Sequence, residues 1–117
     1  MSIRYIGPGA RLSEATVANG FVFLSGMVPE NTDTGVTEQT RDVLAQIDHW
    51  LAQCRSDKNH LLEATIFLAD MADYDAMNLA WDEWVNPERS PARACVEAKL
   101  AKPEWKVEIK VSAVVMV

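Results

Sequence analysis

The stretch "LLEATIFLADMADYDAMNLAWDEWVNPERSPARACVEA", residues 61–98, decides how this chain folds. Its first part, Leu61 to Ala69, is rich in β-branched and aromatic residues and predicts a buried strand. The period then changes. From Asp73, which is placed to cap a helix, Tyr74, Met77, Trp81 and Trp84 recur at steps of three and four and mark one apolar helix side. Asn86-Pro87 ends that helix, because proline pushes the residue before it out of helical conformation. Period two returns at Ala92. Arg93, Cys95 and Glu97 then share one side of a strand, with Ala92, Ala94 and Val96 on the other.

Upstream, "LSEATVANGFVFLSG" reads as a β-hairpin turned at Asn19-Gly20. A short strand at Ile3 to Ile6 precedes it and stops at Gly7-Pro8-Gly9. Met27 to Gly35 is a loop by its Pro, Asn, Asp and Gly content. From Thr37, the expected N-cap, the apolar positions Val43, Leu44, Ile47, Trp50, Leu51 and Cys54 trace one side of an amphipathic helix. Downstream, "AKPE" is a turn. In the last strand, Trp105 to about Val115, Val107, Ile109, Val111, Ala113 and Val115 alternate with Lys106, Glu108, Lys110 and Ser112. The order is β-β-β-α-β-α-β-β, an α+β sandwich of two layers. Helices cover one sheet face. The apolar tail "SAVVMV" leaves the other in need of cover, and a homo-oligomer supplies it.

The chain has 117 residues, 49% of them apolar and 24% charged, enough for one globular domain spanning 1–117. Its net charge of −6 argues against a nucleic-acid partner, which needs a basic footprint. The opening residues lack the apolar core of a secretory signal, and no apolar run reaches membrane-span length. Cys54 and Cys95 have no CxxC spacing and are too few for a disulfide framework, so a reduced, cytoplasmic protein is expected. His49 and His60 lack metal-ligand spacing, and Asp70, Asp73 and Asp75 lack the rest of a calcium loop. No metal and no cofactor are expected.

The residue that asks for an explanation is Arg93, set among Pro91, Ala92, Ala94, Cys95 and Val96. A turn at 100–104 predicts that the two last strands form an antiparallel hairpin. Cys95 then falls opposite Glu108, and Arg93 opposite Lys110, to within a residue or two. An arginine, a thiol and a carboxylate would share one face. Two readings follow. The guanidinium grips a small carboxylate ligand while Glu108 orients a water or moves a proton. Or Arg93 and Glu108 form a structural or interfacial ion pair, the commoner arrangement in proteins at large.

At these residues the sequence resembles the YjgF/RidA family. The resemblance is carried by "SPARACVEAKL" followed by "VEIKV", by "FVFLSG" after a hairpin turn, and by "ATIFLADMADYDAMNLAWDEW". It implies a chorismate-mutase-like fold, a homotrimer whose sheets form a central barrel, and ligand clefts between subunits. It implies cofactor-free hydrolysis of 2-iminopropanoate, 2-iminobutanoate and related enamines to 2-keto acids and ammonia. Carried over, Arg93 holds the substrate carboxylate, Cys95 lines the pocket, Gly26 offers backbone contact and Glu108 positions or activates water. Trp84 borders the cleft. The chain departs from the family pattern at Leu12, where a tyrosine is common, at Met27, where a glutamine often stands, and at Lys110, where an acid is usual. These keep the clamp, alter the pocket wall and mark a distinct subgroup. The same departures suit an alternative: a protein that binds or senses a small keto acid without turnover.

Overall fold

The computed structural model describes residues 2–117. The elements run β1 (Arg4–Pro8), β2 (Ser13–Ala18), β3 (Phe21–Leu24), α1 (Val36–Gln53), β4 (Leu61–Leu68), α2 (Tyr74–Trp84), β5 (Ala92–Glu97) and β6 (Val107–Val114), with short 3₁₀ turns at Lys58–His60 and Met71–Asp73. The β-β-β-α-β-α-β-β order and the α+β class are those expected from periodicity. The strands form one six-stranded sheet in the order β1-β2-β3-β6-β4-β5. The β2–β3 hairpin closes through Asn19 and Gly20, whose positive φ values of 53° and 82° match the right-handed strand twist.

The expected hairpin of the last two strands is not formed. β4 lies between them, pairing parallel with β5 and antiparallel with β6. The reason is the crossover: α2 must pack back onto the sheet, which returns the chain parallel to β4 and at its outer edge. β6 then crosses to the other side of β4 and joins it to β3. β3 and β4 are therefore bridged by α1 around an inserted strand, and β5 is an edge.

Both helices lie on one face. Beneath them pack Val22, Leu24, Ala64, Ile66, Leu68, Val107, Ile109 and Val111 from the sheet, and Val43, Leu44, Ile47, Leu51, Met77 and Trp81 from the helices. The caps differ from expectation. Gly35 is the N-cap of α1, and the Thr37 hydroxyl instead donates to the Ala76 carbonyl, tying α1 to α2. Asp73 occupies the cap position of α2 without a side-chain bond, while Asp70 caps the preceding turn. The buried Gln39 donates to the Thr34 and Glu104 carbonyls and accepts from the Lys106 N–H, which staples the start of α1 to the β5–β6 loop.

The second face of the sheet is open. Phe21 and Phe23 are 43% and 49% exposed there, and Tyr5 is 59% exposed. Among the described residues, no helix is long and apolar enough to cross a membrane.

Ile66 is fully buried at the centre of β4, between Cys95 and Ile109. Ile66→Ala is expected to lower unfolding free energy by about 2–5 kcal/mol, measured by urea denaturation.

Candidate functional site

Parity on β5 is opposite to expectation. Ala64 and Ile66, both buried under the helices, are the partners of Arg93 and Cys95. Arg93 and Cys95 therefore point to the helix layer, and Ala92, Ala94 and Val96 to the open face. On β6, Val107 and Ile109 are buried and Glu108 alternates outward to the open face. Within one chain, Arg93 and Glu108 thus lie on opposite faces of the sheet. The shared face expected from a β5–β6 hairpin fails because β4 separates the strands.

Arg93 is half-buried under α2. Its Nη1 donates to Asn78 Oδ1 at 2.8 Å and its Nη2 to the Tyr74 hydroxyl at 3.1 Å. The guanidinium also lies over two rings, 5.3 Å from the Trp81 centroid and 5.9 Å from that of Tyr74. Tyr74, Asn78 and Trp81 are one stripe of α2, spaced i, i+4, i+7. All these partners are neutral. The ion pairs among the described residues are Arg41 with Glu38 and Glu83, and His60 with Asp57. The reading of Arg93 and Glu108 as an intrachain ion pair is therefore excluded, and the Arg93 charge is left without a carboxylate.

Cys95 is half-buried beside it and packs on the core. Burial pushes its thiol pKa up, and the Arg93 charge opposes this only in part. A raised pKa leaves the protonated thiol dominant at neutral pH, the wrong form for a nucleophile.

The open face gathers the other residues. Gly26 lies against Glu108: a Cβ on Gly26 would sit 3.0 Å from Glu108 Cδ and nearer still to Oε2, so a side chain there would push the carboxylate out of its present position. Met27 is the exception: its side chain packs in the core beneath the helices with that of Ile109, and only its backbone, bonded to Ile109 at 2.8 and 3.0 Å, holds the loop beside Glu108. Leu12 is exposed on the rim of a groove of about 600 Å³ that also takes in Tyr5, Ser25 and Lys110. Lys110 Nζ donates to the Leu24 carbonyl across the strand. Trp84 lies elsewhere. Its indole N–H is shared between the two Asp48 carboxylate oxygens, 3.0 Å each, in the α1–α2 seam. That places it across the sheet from Glu108 within one chain.

Two half-sites result: a cation with a thiol at the β5 edge, and a carboxylate with a glycine on the open face. Residues 3–115 match the family model described as Endoribonuclease L-PSP. This chain belongs to the YjgF/RidA family. A solved YjgF-family structure from Neisseria meningitidis superposes with a TM-score of 0.97 at 63% identity, covering 100% of this chain and 98% of that one. A RutC family protein from Haemophilus influenzae is 52% identical over 114 residues, 97% of this chain and 98% of the relative. A relative named 3-aminoacrylate deaminase, from Acinetobacter baylyi, is 39% identical over 108 residues, 87% of this chain and 85% of the relative. The YjgF/RidA fold is the chorismate-mutase-like α+β arrangement described above.

The partners of Arg93 on α2 were not singled out from the sequence. The signal was present in the spacing of Tyr74, Asn78 and Trp81, but it takes the parallel placement of β5 beneath α2 to bring them onto an arginine.

The raised Cys95 pKa has a direct consequence. Its alkylation by iodoacetamide, followed by mass spectrometry, should be slow at pH 7 and rise only as pH passes beyond the ordinary thiol range; rapid alkylation at pH 7 would mean a depressed pKa.

Proposed function

We propose that this YjgF/RidA protein hydrolyses small 2-imino and enamine acids, such as 2-iminopropanoate and 2-iminobutanoate, to 2-keto acids and ammonia, acting as a cytoplasmic homotrimer without a cofactor. The observation that carries this reading is the half-buried Arg93, whose charge meets only Asn78, Tyr74 and two aromatic rings. A buried cation is costly unless an anion compensates it, and a planar guanidinium suits a carboxylate. The relative named 3-aminoacrylate deaminase lends support, since its named substrate is itself a small enamine acid.

Because Arg93 and Glu108 lie on opposite faces of one chain, the proposed site needs two copies. Arg93 and Cys95 come from one subunit, and Glu108, Gly26, Met27 and Leu12 from its neighbour. The exposed Phe21, Phe23 and Val96 of the open face suit burial against another copy.

The chemistry asks little of the protein. An enamine first gains a proton at carbon and loses one from nitrogen, becoming the imine. Water then adds to the C=N carbon, with Glu108 taking the water's proton and handing it to nitrogen. The hydroxyl proton of the resulting carbinolamine then passes to nitrogen as the C–N bond breaks, so ammonia leaves and the carbonyl forms. Arg93 holds the carboxylate so that the imine carbon meets the water in a fixed geometry, which lowers the entropic part of the barrier.

The test is decay of freshly generated 2-iminobutanoate, followed with a trapping reagent. Wild type should accelerate it over buffer. Arg93→Ala should abolish that acceleration, and Glu108→Gln should lower kcat by about 10²–10⁴-fold. Decay no faster than buffer would sink the reading. Tight 2-oxobutanoate binding with no turnover would identify a keto-acid binding protein instead.

A further inference from the structure

We infer that Asn78, Tyr74 and Trp81 form a neutral cradle that holds the Arg93 guanidinium in place without neutralising it, so that its charge stays available to a ligand carboxylate. This rests on the reading of Arg93 as the carboxylate clamp and assigns three positioning residues to it.

The argument starts from what an arginine on an edge strand does by itself. A long flexible side chain has many rotamers, and freezing it on binding costs affinity. Here it is already fixed. Asn78 Oδ1 takes one donor at 2.8 Å and the Tyr74 hydroxyl a second at 3.1 Å, which leaves the remaining N–H groups of the fork free. The guanidinium also lies 5.3 and 5.9 Å from the centroids of the Trp81 and Tyr74 rings. Ring quadrupoles attract the cation but supply no formal charge.

The choice of neutral partners is what matters. An aspartate at position 78 has nearly the shape of asparagine and would stand within ion-pair distance of Nη1. It would satisfy the arginine better and close the site to an external anion. Elsewhere in this chain an exposed arginine is paired in that way: Arg41 bonds both carboxylate oxygens of Glu83 at 3.0 Å. Of these two arginines, the one bearing a neutral cradle is Arg93. The cradle is rigid because Trp81 is buried and α2 is anchored to α1 through the Thr37–Ala76 bond.

The experiment compares Asn78→Asp, Tyr74→Phe and Arg93→Ala with wild type, using 2-oxobutanoate as the calorimetric probe and 2-iminobutanoate for kinetics. Asn78→Asp should weaken 2-oxobutanoate at least about tenfold and raise KM in proportion, while its thermal midpoint stays at or above that of wild type. Tyr74→Phe, at a partly exposed position that tolerates the change, should weaken binding about threefold or more, with kcat changed less than KM. A merely structural role predicts the same unimpaired thermal midpoint for Asn78→Asp but intact 2-oxobutanoate binding and an unchanged KM. If Arg93→Ala abolishes binding while both α2 variants bind like wild type, the cradle is refuted and the clamp stands. If Arg93→Ala binds like wild type, the clamp itself is refuted.

Discussion

Everything in this molecule depends on β4 being paired on both edges. One edge takes β5 in parallel, and the other takes β6 in antiparallel. A parallel neighbour requires a crossover, and α2 is that crossover. The crossover in turn lays α2 directly over β5. An arginine at the second position of β5 then meets the i, i+4, i+7 stripe of the helix that led into the strand. The same pairing keeps β5 at the sheet edge and sends β6 to the far side of β4. The two half-sites are therefore separated by the sheet rather than brought together by a turn.

That separation changes what the candidate site is. Had β5 and β6 been a hairpin, Arg93 and Glu108 would have stood near one another on one surface. Divided by the sheet, neither has an ionic partner among the described residues of its own chain. Arg93 is held by neutral groups, and Glu108 nests against Gly26, where a side chain would displace its carboxylate. A cation and an acid that are each kept from pairing suit a ligand that carries a carboxylate at one end and needs a proton moved at the other. The acidic balance of the whole chain does not conflict with such a ligand, because the proposed clamp is one local charge rather than a field.

Much of the fold was legible from periodicity because the physics behind it is local. Period two marked the strands, three-and-four spacing marked both helices, and Asn19-Gly20 marked a turn that needs two left-handed residues. The caps were less legible. Thr37 is a good N-cap residue by type, yet its hydroxyl serves the Ala76 carbonyl on another helix, a partner that no local pattern reveals. Gln39 is similar: a polar residue on a helix reads as solvent-facing, but it is buried and bonds three backbone groups, two of them at the distant Glu104 and Lys106.

The sequence by itself determined the elements, their order, the amphipathic sides of the helices and the unusual chemistry of Arg93 and Glu108, because side-chain alternation and residue type are properties of the local chain. Which strand lies beside which was decided only by tertiary structure. A turn of a few residues between two strands allows a hairpin, and nothing local forbids it. What forbids it is that α2 must bury Met77 and Trp81 on the sheet, which places β5 outside β4 and leaves β6 the inner edge. Since side chains alternate with a period of two, that one choice of neighbour turned Arg93 under the helix and Glu108 to the open face.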